Sequence, residues 1–160
     1  MSERLIVAYD ILGRPHDRPL SSFRFRISVY GILRRERSIL VHRLPKLDQF
    51  AIPGGGVELG ETFASALSRE FREETGIEVR PIRLLDVKES LFTTAREDAH
   101  GALILYEVEQ IGGWSTPGGN ASDSVEARFL PLDDLLNGQI LPVFESFLRH
   151  LVELSKETTA

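Results

Sequence analysis

The chain has 160 residues, of which 42% are apolar and 27% charged, with nine Phe. That balance supports a packed core rather than a disordered chain and fits one compact domain over residues 1–160. A net charge of −5 gives no electrostatic case for gripping duplex nucleic acid, so a small anionic substrate would need local cations or bound metal beside it.

No cysteine is present, which removes disulfides, thiolate metal sites and thiol nucleophiles and fits a reducing compartment. Residues 5–12 are interrupted by Asp10, so they do not read as a secretory leader, and no apolar run is long enough to span a bilayer. A cytoplasmic location without membrane attachment is the expectation.

In chain order, residues 4–12 read as a short strand, and residues 13–22, with Pro15 and Pro19, as a loop. Residues 23–33 alternate, with Phe23, Phe25, Ile27 and Val29 on one face and Arg24, Arg26, Ser28 and Tyr30 on the other, as expected of a half-buried strand. The charged run Arg34-Arg35-Glu36-Arg37 forms a hairpin tip in this reading, and residues 38–43 return as its partner. Residues 50–52 are a short strand entering Gly54-Gly55-Gly56. A helix follows over residues 63–75, N-capped by Thr62 and stopped by Gly76. Residues 78–91 are extended, 93–100 a polar connection, 102–111 a strand, 112–120 a glycine-rich loop and 125–130 a strand. Residues 133–136 form a short turn or helix. Pro142 opens a last helix with an apolar stripe of Val143, Phe144, Phe147, Leu148, Leu151 and Val152.

The central helix carries the chemistry. At 100° per residue with Glu70 at zero, Phe63, Leu67, Phe71, Ala64 and Ala66 fall on one arc from about −40° to about 120°. Glu74 falls at about 40°, inside that arc, and Glu73 at about −60°, on its edge. Thr75, Ser68, Arg72, Ser65 and Arg69 are the outward positions. Carboxylates on an apolar face are costly unless a cation compensates, and one arginine, Arg69, cannot neutralise Glu70, Glu73 and Glu74. A hard divalent cation suits such an all-oxygen group. The three glycines let backbone approach it closely, so a carbonyl of that turn can join the ligand set.

Gly55, Glu61, Arg69, Glu70, Phe71, Glu73, Glu74, Gly76 and Ile77 fill every specified position of the signature that this stretch resembles, that of the Nudix hydrolase family. The resemblance implies an α/β/α sandwich with a mixed β-sheet, a central helix and a C-terminal helix. It implies hydrolysis of a nucleoside diphosphate linked to another moiety, with Mg²⁺ or Mn²⁺. By the same resemblance Glu70, Glu73, Glu74 and the Gly54 carbonyl bind metal, while Arg69 and Glu61 orient the cluster. The general base is Glu70 or an acidic residue before the last core strand, where this chain offers Asp123 and Glu126; Glu126 is the preferred extra ligand or base. Arg26, Arg43 and Lys88 are the candidate phosphate contacts, with Arg96 and His100 as later ones, and Trp114 or Phe92 could stack on a base. Subfamily marks expected downstream of the box are absent, Phe92, Thr93 and Thr94 occupying that region, so the substrate expectation is a (d)NTP or nucleotide sugar. A nucleotide-sensing module without turnover is the alternative, and a homodimer is possible because many family members are dimers.

Overall fold

The computed structural model describes residues 3–45, 47–113 and 126–157. Their nine strands make one mixed sheet in the order β2-β1-β7-β8-β3-β4-β5, with β6 on β3 and β9 on β4. β1 (Leu5–Tyr9) and β2 (Pro15–Pro19) form an antiparallel hairpin, where the sequence pattern suggested that residues 13–22 are loop. Proline at both ends of β2 reads as a breaker, yet an edge strand tolerates a missing N–H. The Asp10 carboxylate accepts from the Leu12 and Arg14 amides at 2.9 Å and closes the turn.

β3 (Phe23–Arg35) lies parallel to β8 (Asp98–Gly113) from Phe23↔Asp98 to Leu33↔Val108. On its other side it forks. Ser28 to Tyr30 pair with β6 (Gly54–Gly56), whereas Arg34 and Arg35 pair with β4 (Ser38–Arg43) across the charged hairpin tip. β4 continues the sheet to β5 (Phe50–Ala51) and β9 (Glu126–Pro131). β7 (Ile77–Thr93) and β8 form a long hairpin, so the polar connection expected over 93–100 shrinks to 94–97. Thr94 closes that tip, its Oγ1 accepting from the Arg96 and Glu97 amides.

Apolar layers lie on both faces of the sheet. One packs Ile32, Ile39, Val41 and Leu105 against Phe144, Phe147, Leu148 and Leu151 of the C-terminal helix. The other packs Val29, Leu33, Leu40 and Ile104 against Ala66, Leu67 and Phe71 of helix α1 (Phe63–Thr75). Alternate residues of β3 and β4 thus serve opposite layers, which is why these strands are buried on both faces. A short helix α2 (Leu132–Asp134) and a wide turn over Leu135–Gln139 lead into that last helix, α3 (Pro142–Glu157), which begins at Pro142 as its sequence suggested. Among the described residues no helix is long and apolar enough to cross a membrane.

Two details depart from the ideal helical wheel and the strand alternation. Thr75, placed outward on the wheel, is buried; its hydroxyl donates to the Phe71 carbonyl at 2.6 Å and accepts from the Ile77 amide. Phe63 and Ala64, placed inward, are exposed, because only the part of α1 from Ala66 onward lies against the sheet. Likewise the apolar face of β3 is covered only from Val29 on, and Phe25 is 90% exposed.

Gly31 sets how closely α1 approaches. A Cβ there would lie 2.6 Å from Phe71 Cε2 and 3.0 Å from a Val108 methyl, so the Phe71 ring rests directly on β3 backbone. Gly31→Ala overpacks this contact and should destabilise the protein by about 1–3 kcal/mol. Thermal unfolding checks this, and an unchanged Tm would remove the proposed constraint.

Candidate metal centre

Helix α1 is held at both ends. Thr62 Oγ1 accepts from the Ser65 amide while Ser65 Oγ accepts from the Thr62 amide, at 3.1 and 2.9 Å. Gly76, at φ 71°, takes the left-handed conformation that ends the helix. Between these caps Arg69 is the hub. Its Nε and Nη2 grip the two oxygens of Glu61 at 2.8 and 2.9 Å, Nη1 donates to Glu70 Oε1 at 2.8 Å, and Nη2 also donates to the Gly56 carbonyl at 3.0 Å. The guanidinium, followed by the Glu58 amide, holds the Glu61 carboxyl down at about 2.

The three box carboxylates occupy different environments. Burial pushes the Glu70 carboxyl above its ordinary value even though Arg69 opposes the rise. Glu73 is the exposed one, its side chain 54% accessible and 3.6 Å from Arg69 Nη1. Glu74 is largely covered. Its Oε2 accepts from the Gly54 amide at 2.8 Å and lies 3.5 Å from His42 Nε2.

The glycines are required by this closeness. Gly54 has φ 143° and a Cβ there would overlap the Val29 carbonyl; at Gly55 a Cβ would lie 2.6 Å from the Glu70 carboxylate. The residues present fit a hard divalent cation: the donors are oxygens, and Glu70 is crowded into a partly desolvated position that one guanidinium leaves uncompensated. Among the described residues no three acidic or histidine side chains already converge into a closed ligand set.

Glu126 starts β9 opposite Arg43, with Arg43 Nη2 and Arg128 Nη1 3.8 and 3.5 Å from its carboxylate. It is therefore one residue from Ala127, the pairing partner of His42. Arg26 is ion-paired with Glu97 and lies against the glycine strand, a Cβ at Gly56 falling 2.7 Å from its Nη2. Arg96 sits at the β7–β8 tip, while His100 pairs with Glu89 and stacks on Phe25 at 5.2 Å. Trp114 and Asp123 lie outside the described residues.

A cavity of about 450 Å³ opens beside Gly54 and Glu74. Tyr9, Tyr30, Phe92, Leu103 and Phe144 are among the residues of its apolar wall, and Lys88 is the only Lys or Arg among its described lining residues. Lys88 Nζ sits 4.7 Å from the centre of the Phe147 ring and 3.8 Å from Asp86. Burial and the nearby Glu74 carboxylate push the Tyr30 phenol up to about 12, so it stays protonated. Tyr30 and His42 are site residues that the sequence reading missed. The available signal was a histidine directly after the apolar run Ile39-Leu40-Val41.

Residues 24–151 match the NUDIX domain. The chain belongs to this family. Among relatives of this NUDIX chain, an ADP-ribose pyrophosphatase of Methanocaldococcus jannaschii is 36% identical over 112 residues, covering 68% of this chain and 63% of that protein. An NAD-capped RNA hydrolase NudC of Stutzerimonas stutzeri is 26% identical over 133 residues, covering 82% of this chain and 44% of that one. The NUDIX chain thus spans less than two thirds of the length of either relative. Its fold matches the solution structure of the E. coli ORF135 protein (TM-score 0.66, 24% identity, 86% of this chain and 95% of that). It also matches a MutT protein of Bacillus halodurans (TM-score 0.66, 19% identity, 79% and 81%).

The buried His42 gives the centre a pH signature. Burial lowers its pKa from 6.5 to about 4, so between those values the unfolded chain binds a proton that the folded one refuses, and stability falls as pH drops through that window. At about 1.4 kcal/mol per unit the loss reaches roughly 3 kcal/mol. Glu70, with a raised pKa, acts in the opposite sense. Urea unfolding of wild type and His42→Gln at about pH 7 and pH 5 separates the two: the variant should lose less stability. Equal losses would contradict the assignment.

Proposed function

We propose that this NUDIX chain is a metal-dependent pyrophosphohydrolase acting on a nucleoside diphosphate linked to another moiety, with a nucleoside diphosphate sugar ahead of a (d)NTP. Water adds to one phosphorus, the bridging P–O bond breaks, and two phosphorylated products leave. Hydrolases of this family generally need a divalent metal, and Mg²⁺ or Mn²⁺ suits the oxygen donors here. Such an ion supplies charge neutralisation on the phosphates and an activated water.

The protein's own part is positioning. Glu70 and Glu74 are the principal ligands, with Glu73 at the exposed edge and the Gly54 carbonyl as a backbone contribution. Arg69 and Glu61 lock the helix face to the glycine strand so that Glu70 cannot swing away. Glu70 or Glu126 takes the proton from the attacking water, Glu126 held between Arg43 and Arg128. Arg26 and Arg43, each with a side chain 39% exposed, are the phosphate contacts.

The observation that carries the substrate reading is the cavity. It begins at Glu74 and Gly54, its wall is mainly apolar and aromatic, and among its described lining residues Asp10, Glu74 and Glu89 stand against one Lys or Arg, Lys88. Such a chamber repels a polyphosphate tail and receives a neutral base or sugar, leaving the diphosphate at its mouth beside α1. The similarity to an ADP-ribose pyrophosphatase supports a substrate of that kind.

A panel of ADP-ribose, other nucleotide sugars, dinucleotides and (d)NTPs, assayed with Mg²⁺ and Mn²⁺ for phosphate release after phosphatase treatment, tests the reading. Turnover should vanish with chelator, and Glu74→Gln should lower kcat/KM by at least about 100-fold while leaving the unfolding midpoint near that of wild type. Unchanged activity in that variant sinks the site. If no compound turns over but some bind, the chain is a nucleotide-binding module.

A further inference from the structure

Among the buried polar residues Ser28, His42, Thr75 and Thr93, His42 is the titratable one, and the proposed chemistry does not use it. It follows three buried apolar residues on β4 and is only 1% exposed. Its cross-strand partners are Ala51 on β5 and Ala127 on β9, small on both sides, so the imidazole has lateral room that a larger neighbour would take. Among the described residues its Nδ1 is the buried side-chain polar atom left without a hydrogen-bond partner. A bare buried acceptor is a stability cost that leucine at this position would not carry. The compensation lies at the other nitrogen, since Nε2 faces Glu74 Oε2 at 3.5 Å. A carboxylate oxygen only accepts, so a contact from Nε2 to Glu74 assigns the ring proton to Nε2, in keeping with an Nδ1 that has no partner.

We propose that His42 is a positioning residue for Glu74: its Nε2–H and the Gly54 amide hold Oε2 from two directions and fix how α1 presents this carboxylate to a divalent cation. Neither donor is on α1. One comes from β4 and one from the entry to β6, so the carboxylate's direction is set by the sheet and survives small movements of the helix. An outer-layer donor of this kind orients a metal ligand and tunes its affinity without touching the metal. The same imidazole lines the cavity together with Glu74 and Gly54, so the orienting group and the ligand border the chamber side by side. This inference rests on reading Glu74 as a metal ligand.

The test compares two amides in the whole 160-residue chain. In His42→Gln the amide nitrogen reaches about as far as Nε2, whereas in His42→Asn it stops near the position of Nδ1. Mn²⁺ alone is the probe, its affinity read by electron paramagnetic resonance of the free ion, with circular dichroism and Tm confirming that each variant is folded. Expected is a 10–100-fold weaker affinity in His42→Asn, largely restored in His42→Gln, with the Mg²⁺ concentration for half-maximal turnover shifting in parallel. Wild-type affinity in His42→Asn overturns the proposal, provided that Glu74→Gln has lost affinity. Equal losses in both amide variants also overturn it, because the ring would then matter for packing and not for its donor. If Glu74→Gln binds Mn²⁺ as wild type does, Glu74 is not a ligand, and the metal-site reading fails together with this inference.

Discussion

Everything at the centre of this molecule depends on one guanidinium. Arg69 ties the loop before α1 through Glu61, the helix face through Glu70 and the glycine strand through the Gly56 carbonyl. Its planar fork satisfies these partners from one side chain, which a lysine could not do. The helix and the β6 strand therefore stand in a fixed relation, and the acidic residues are held at their spacing. Glu61 and Glu70, so near in space, shift in opposite directions because Arg69 dominates at the first and burial at the second. The first receives two of its N–H groups and an amide as well, while the second receives one and is desolvated.

The sheet supplies the second half of the arrangement. β3 forks, pairing with β6 over Ser28 to Tyr30 and with β4 at Arg34 and Arg35. The cavity lies along this divide, with Tyr30 from one branch and His42 from the other in its wall. Glu74 is the point where helix and divide meet, since it touches both the Gly54 amide and the His42 ring. The box carboxylates on α1 and the mainly apolar wall of the cavity thus adjoin at Glu74.

Much of this was legible from the residues. Thr62 and Gly76 delimit α1 as the caps imply, because capping chemistry is local and strong. The placement of Glu70 and Glu74 toward the interior and of Glu73 at the edge also follows from a wheel, since all three lie in the half of the helix that rests on the sheet. The wheel failed for Phe63, Ala64 and Thr75, where the tilt of α1 decides burial and the sequence has no knowledge of tilt. Pro15 and Pro19 concealed β2 because local propensity argues against a strand, whereas position at an edge permits one. His42 was missed for a different reason, although it directly follows the apolar run Ile39-Leu40-Val41. Its role depends on which residues pair across β4, and a register between distant strands leaves no local trace.

The prolines of β2 have one more effect. β2 is the last strand at its end of the sheet, where an open row of amides would invite another chain to add a strand. Pro15 and Pro19 offer no amide hydrogen, so two positions of that five-residue edge cannot donate to an incoming backbone. The border is thus blunted against uncontrolled stacking of one molecule on the next, beside the cavity residues Tyr9, Asp10 and Gly13.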